Sequence, residues 1–274
     1  MKARALLWVA LLGPSVAACI QTTGGQIIDF PVAAAGASDL TAGQPMHFTS
    51  DDGWDVMLTK ATLHIGAVYL DSAAPVSGAQ DTPCILPGTY LAQLTTGLDV
   101  DLLSPSPQPF PARAHGTTGD AIVGQLWLTG VIGDIGVQAD VTKILVVAGT
   151  ASHDGDVRPF VGQITIGANC QAPSDALAGA APICKQRIVS VLTEVRIAAA
   201  GGLLVRIDAR KLFTNVDWSA LAKFSDTYGF VDQPNKDQPS TNLYSNLHAG
   251  SGSASPYSFS WTPSLTNVPG EAAP

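Results

Sequence analysis

The stretch PMHFTSDDGWDVMLT constrains the fold more than any other part of this chain. Two runs of alternating apolar residues flank Asp51-Asp52-Gly53. A three-residue loop ending in glycine fits a type I turn closed by a left-handed residue. That register pairs Ser50 with Trp54, Phe48 with Val56 and Met46 with Leu58, so every apolar side chain shares one face. A two-residue loop would mix the faces. The apolar positions are even-numbered as far as Leu58 and then become Ala61, Leu63 and Ile65. That change of parity predicts a bulge or break near Thr59-Lys60. Gly66 marks a second shift, toward Val68 and Leu70. On this reading His64 faces away from the main core.

Similar runs recur along the chain, among them TYLAQLTT, LDVDLLS, KILVVAGT, FVGQITIGA, RIVSVLTEVRI, LLVRIDA and YSFSWT. They are rich in Val, Ile, Thr and aromatics and are punctuated by Gly, Pro and Asp. Charged residues make up only 13%, against 27 glycines and 19 prolines. The expected fold is all-β, an antiparallel β-sandwich with one or two short helices near the C-terminus. Asp217 is placed to cap WSALAKF (218–224), and Ser240 or Thr241 to cap NLYSNLH (242–248). A single β-sandwich domain is expected over 27–264, followed by a flexible tail over 265–274.

The first residues have the layout of a secretory signal. Lys2 and Arg4 precede a short apolar core, Ala5–Leu12, well below the roughly 20 residues that span a bilayer. Val16-Ala17-Ala18-Cys19 then reads as a bacterial lipobox. Residues 1–18 are the expected signal peptide, Cys19 the lipidated first residue of the mature chain, and 19–26 a lipidated tether. The alternative is ordinary secretion with Cys19 in a disulfide. Several acyl chains, palmitate among them, would anchor firmly, since each buried methylene contributes about 0.8 kcal/mol. Ile20 stands where an Asp would resemble an inner-membrane retention signal. The expected location is therefore the cell envelope, lipid-anchored in the outer membrane of a Gram-negative bacterium.

The chain carries a formal charge of −8, and its lysines are scattered. That does not suit a phosphate backbone, so no nucleic acid is expected. The expected partners are the membrane, through the lipid, and a protein or small-molecule ligand. With Cys19 lipidated, Cys84, Cys170 and Cys184 are the disulfide candidates in an oxidising compartment. Cys84–Cys184 and Cys170–Cys184 are both open.

The motifs of serine hydrolases, zinc proteases, P-loops, dinucleotide folds and EF-hands are absent from the sequence. No catalytic residue and no cofactor is assigned, and a hydrolase is the remote alternative. His153-Asp154-Gly155-Asp156 resembles a calcium loop, but four residues cannot supply six oxygen ligands, and it reads as a turn between strands. Asp99 and Asp101 share one face of LDVDLLS, as the polar side of an edge strand would.

His47, Met57 and Asp55 lie opposite the apolar face of the first hairpin, with His64 on the next strand. Imidazole and thioether suit copper, Cu(I) above all. WDVMLT followed by HIGAVYL resembles the methanobactin-associated (MbnP-like) family of periplasmic copper-binding proteins. IDARKLFTNVDW is similar to the acidic-aromatic segment near their C-terminus. That resemblance implies a β-rich fold that binds copper through histidines and a modified tryptophan. It makes copper the candidate metal, with His47, His64, Met57 and Trp54 as candidate ligands. The hairpin, ICKQRIV and NLYSNLH also resemble uncharacterised bacterial lipoproteins, a likeness that implies no activity. The sequence thus leads to an envelope lipoprotein with a non-catalytic binding or structural role, with a periplasmic copper-binding protein as the alternative.

Overall fold

A computed structural model describes residues 25–73, 89–131, 140–169, 187–233, 237–250 and 255–265. Its strands, numbered in chain order, form three sheets. The first sheet runs β1 (Ile27–Phe30), β9 (Ala114–Thr117), β6 (Tyr90–Leu94), β5 (Ala67–Asp71), β10 (Gly119–Trp127) and β13 (Arg187–Ile197). The second runs β15 (Ala222–Phe224), β16 (Thr227–Phe230), β12 (Asp156–Thr165), β11 (Lys143–His153), β4 (Asp55–Ile65) and β3 (Met46–Thr49), and β7 (Leu98–Asp101) also pairs with β4. The third runs β17 (Tyr257–Thr262), β14 (Gly202–Ile207), β2 (Val32–Gly36) and β8 (Gln108–Pro109). One α-helix, α1 (Gln238–Leu247), is present among the described residues. It is too short to cross a membrane.

The first hairpin has the expected register. Met46 pairs with Leu58, His47 with Met57 and Phe48 with Val56. The Ser50 N–H donates to the Trp54 carbonyl at 2.8 Å. The parity change is a bulge: across β11, Lys60 pairs with Ala148 and Leu58 with Gly149, so Thr59 is the extra residue. At Gly66 the chain leaves the second sheet and enters the first. Its N–H donates to the Trp127 carbonyl at 2.8 Å. A Cβ there would stand 2.3 Å from the Gly130 nitrogen, so no other residue fits without moving backbone.

A single antiparallel sandwich does not describe this architecture. The chain is mostly β, but β14 pairs with β2, and β12 with β16, in parallel. The run VAAAG of β2 is buried at every position, so it carries no alternation from which an inner and an outer face could be told. One apolar cluster reaches from Phe30 to Phe259 and draws on all three sheets. At its centre Trp218 is ringed by Phe160, Phe213 and Phe230 at 5.0–5.9 Å.

The helices also differ from expectation. Asp217 does cap a turn, its carboxylate accepting from the Ser219 N–H, but that turn is a single 3-10 turn, Trp218–Ala220. The rest of WSALAKF passes into β15. The cap of α1 is Asp237, not Ser240 or Thr241. Asp237 accepts from the Ser240 N–H at 2.7 Å, and Pro239 occupies the first turn, where no N–H is needed.

Candidate functional site

Two tight turns meet at one end of the second sheet. In the β3–β4 turn, Gly53 adopts φ +86, which only glycine takes without strain. The Ser50 hydroxyl donates to Asp52 Oδ1 at 2.5 Å and accepts from the Trp54 N–H at 2.9 Å. In the β11–β12 turn, Asp154 (φ 48) and Gly155 (φ 84) form a two-residue loop whose positive φ values match the twist of a hairpin. Ser152 pairs with Asp55 on one side and with Val157 on the other, which brings the two turns side by side. A third segment closes over them. The Asn215 N–H, at φ 55, donates to Asp51 Oδ2 at 3.1 Å. The Gln238 side chain holds that segment to α1 through the Asp217 N–H and the Asn215 carbonyl.

These elements enclose an open groove of about 580 Å³, lined by Asp51, Asp52, Trp54, His153, Asn215, Val216, Asp217 and Ser219. Trp54 is 5% exposed and His153 covers it, with ring centroids 5.4 Å apart and planes inclined by 30°. The Arg158 guanidinium lies 4.9 Å from the Trp54 ring and 4.9 Å from that of Tyr228. It donates from two nitrogens to Asp156 Oδ2, and to the carbonyls of Trp218 and Ser219 at 2.8 and 2.6 Å. Its charge is therefore taken up within the wall, while Asp51, Asp52 and Asp217 remain at the rim. Such a groove offers carboxylate oxygens around the exposed His153 ring and suits a cationic group. The Ser219 hydroxyl donates to Asp217 Oδ1 at 2.6 Å, and its N–H to the same oxygen at 2.9 Å, within the Asp217 cap.

The candidate copper ligands are not gathered. His47 and Met57 face each other across β3 and β4. His64 lies seven residues beyond Met57 on β4, roughly 20 Å away at the rise of a strand. Its Nδ1 donates to Asp99 Oδ1 at 2.7 Å. Trp54 lies buried among the core residues. Of the set His47, His64, Met57 and Trp54, the strands bring His47 and Met57 together and set His64 apart from them. No three His, Cys, Asp or Glu among the described residues come together as a metal site. Cys19, Cys84, Cys170 and Cys184 lie outside the described residues, as do the signal and most of the tether. Of Asp99 and Asp101, the first serves His64 and the second accepts from the Leu103 N–H at 2.9 Å.

His153, Asp51, Asp52 and Asp217 were not singled out from the sequence as one site. The signal available was a pair of acidic glycine turns, DDG and HDGD, but their adjacency depends on the β4–β11 register.

No family model and no curated protein matches this chain. Among solved structures, MbnP from Methylosinus trichosporium is similar at a TM-score of 0.43 and 11% identity, over 86% of this chain and 98% of that one. At that score the likeness carries no conclusion about a ligand.

Proposed function

We propose that this chain is an envelope lipoprotein, tethered through lipid on Cys19, whose β domain is a non-catalytic binding module. The groove beside Trp54 receives a cationic group, such as a basic side chain of a partner protein or an amine of a small ligand. One observation carries this reading: Arg158 is neutralised inside the wall, so the three rim carboxylates set the sign of the groove. The His153 ring, backed by Trp54, adds a flat surface for the apolar part of the ligand.

The test is calorimetric titration with a lysine-rich peptide and an acidic one, at low and high salt. The basic peptide is expected to bind, more weakly as salt rises, and to lose at least tenfold in affinity in the triple variant Asp51→Asn, Asp52→Asn, Asp217→Asn. Equal binding of both peptides, or none, ends the reading. Reconstitution with Cu(I) followed by dialysis is the companion measurement; tightly retained copper would restore the copper-binding alternative. For the anchor, Cys19→Ala is expected to block processing or release the protein from membranes. Normal processing with unchanged membrane fractionation would remove the lipid claim.

A further inference from the structure

We infer that the open half of the first sheet, β1, β9 and β6 around Ile27, is the face that rests on the phospholipid surface; this rests on the reading of Cys19 as the anchor. Where the chain enters the fold is fixed by a reciprocal pair of hydrogen bonds. The Gln26 N–H donates to Thr118 Oγ1, and the Thr118 N–H donates to the Gln26 carbonyl, both at 2.9 Å. Between Cys19 and Gln26 the backbone can extend at most roughly 25 Å. A domain of this length is roughly 45 Å across, from the scaling of radius of gyration with chain length. The tether is thus shorter than the body it holds, and the side bearing Ile27 has to lie toward the bilayer.

That side has the surface such a position needs. Ile27 is 69% exposed and pairs with Thr117 at the start of β1. With Tyr90, Leu91 and His115 it borders a shallow groove of about 330 Å³. Isoleucine seats at the boundary of headgroups and acyl chains, and tyrosine suits the wet side of that boundary, while Leu91 is half-buried against the core. Its charges are also matched locally. The Asp29 carboxylate bonds to His115 at 2.8 Å and the Asp29 carbonyl accepts from Arg113 at 2.9 Å. Asp29 thus stands beside the cationic Arg113, so one charge of each sign sits here within a chain of formal charge −8. The exposed Val157, Val161 and Phe224, at 53–58%, lie on the second sheet and not on the sheet that Gln26 leads into.

The test uses the full lipidated chain in phosphatidylethanolamine–phosphatidylglycerol vesicles carrying brominated acyl chains. A genetically encoded fluorescent amino acid replaces either Ile27 or Val161. The residue at position 27 is expected to be quenched at least twofold more than the one at 161. Equal quenching, or stronger quenching at 161, overturns the inference while leaving the anchor intact. Failure to sediment with vesicles overturns both readings. Self-quenching at position 27 without lipid would assign the face to a second copy of the chain and overturn the inference. Since Ile27 is so exposed, its replacement leaves the core untouched, and unchanged circular dichroism checks this.

Discussion

The guanidinium of Arg158 lies 4.9 Å from the centre of the Trp54 ring while binding Asp156 through two nitrogens and donating to two carbonyls. One side chain therefore both builds the wall of the groove and removes its own charge from the solvent. A lysine has no planar fork with which to do the same. Arg158→Lys is expected to cost about 2–3 kcal/mol, the scale of lost hydrogen bonds to a charged group. The measurement is urea denaturation, with a lower midpoint and an unchanged m-value. The same variant should weaken binding of the basic peptide, because Trp54 loses its support.

The turn at Gly53 makes a second prediction. Nothing crowds a Cβ at that position, the nearest atom being His153 Nε2 at 3.7 Å, so the cost of an alanine is conformational. With φ at +86, Gly53→Ala should lose about 1–2 kcal/mol. Gly119 is the control. Its Cβ would meet only Leu91, at an ordinary 3.6 Å, and its φ is not left-handed. Gly119→Ala should be neutral or stabilise by about 0.4–1 kcal/mol. Thermal melts of the pair separate backbone strain from packing.

Asp71 makes stability depend on pH. It is fully buried and accepts from Gln125 Nε2 at 2.6 Å, while its Oδ1 has no partner. Burial raises its pKa, and the Gln125 bond only partly opposes this. A carboxyl with a raised folded pKa contributes its full stability below the unfolded value, near 3.8, and loses it as pH rises through the folded value. Asp71→Asn keeps an acceptor for Gln125 and never ionises. Melting temperatures between pH 4 and pH 7 should therefore fall more for the native protein than for the variant. Parallel curves would refute the assignment.

The groove itself predicts a split between two histidines. His153 at the end of β11 covers Trp54, whereas His64, far along β4, is bound to Asp99 of β7. His153→Ala should weaken peptide binding severalfold, and His64→Ala should leave it unchanged while costing about 0.5–1.5 kcal/mol of stability for the lost hydrogen bond. Calorimetry and denaturation on the two variants check both halves.

What the sequence made legible follows from which information is local. The first hairpin register and the bulge at Thr59 were readable because the parity of apolar residues is a property of the strand itself. The parallel pairing of β2 was not, because VAAAG is small and buried on both sides and matches any neighbour that is equally apolar. The cap of α1 was missed because Ser240 and Thr241 are good caps in isolation. Yet Asp237 followed by Pro239 is itself a local start signal, and the Ser240 hydroxyl accepts from the Val231 N–H instead of capping. The groove was hidden for a non-local reason. DDG and HDGD are each ordinary solvated turns, about a hundred residues apart, until β4 and β11 align them.

Gly66 gives the molecule a stiff corner. One continuous run of backbone serves the second sheet up to Ile65 and the first sheet from Ala67 onward, clamped between the Trp127 carbonyl and the Gly130 backbone. The passage from one sheet to the other is thus fixed at the end of β10. Whatever surface holds the Ile27 side thereby also sets the compass direction in which the acidic groove points, so attachment and aim become one property of the folded chain.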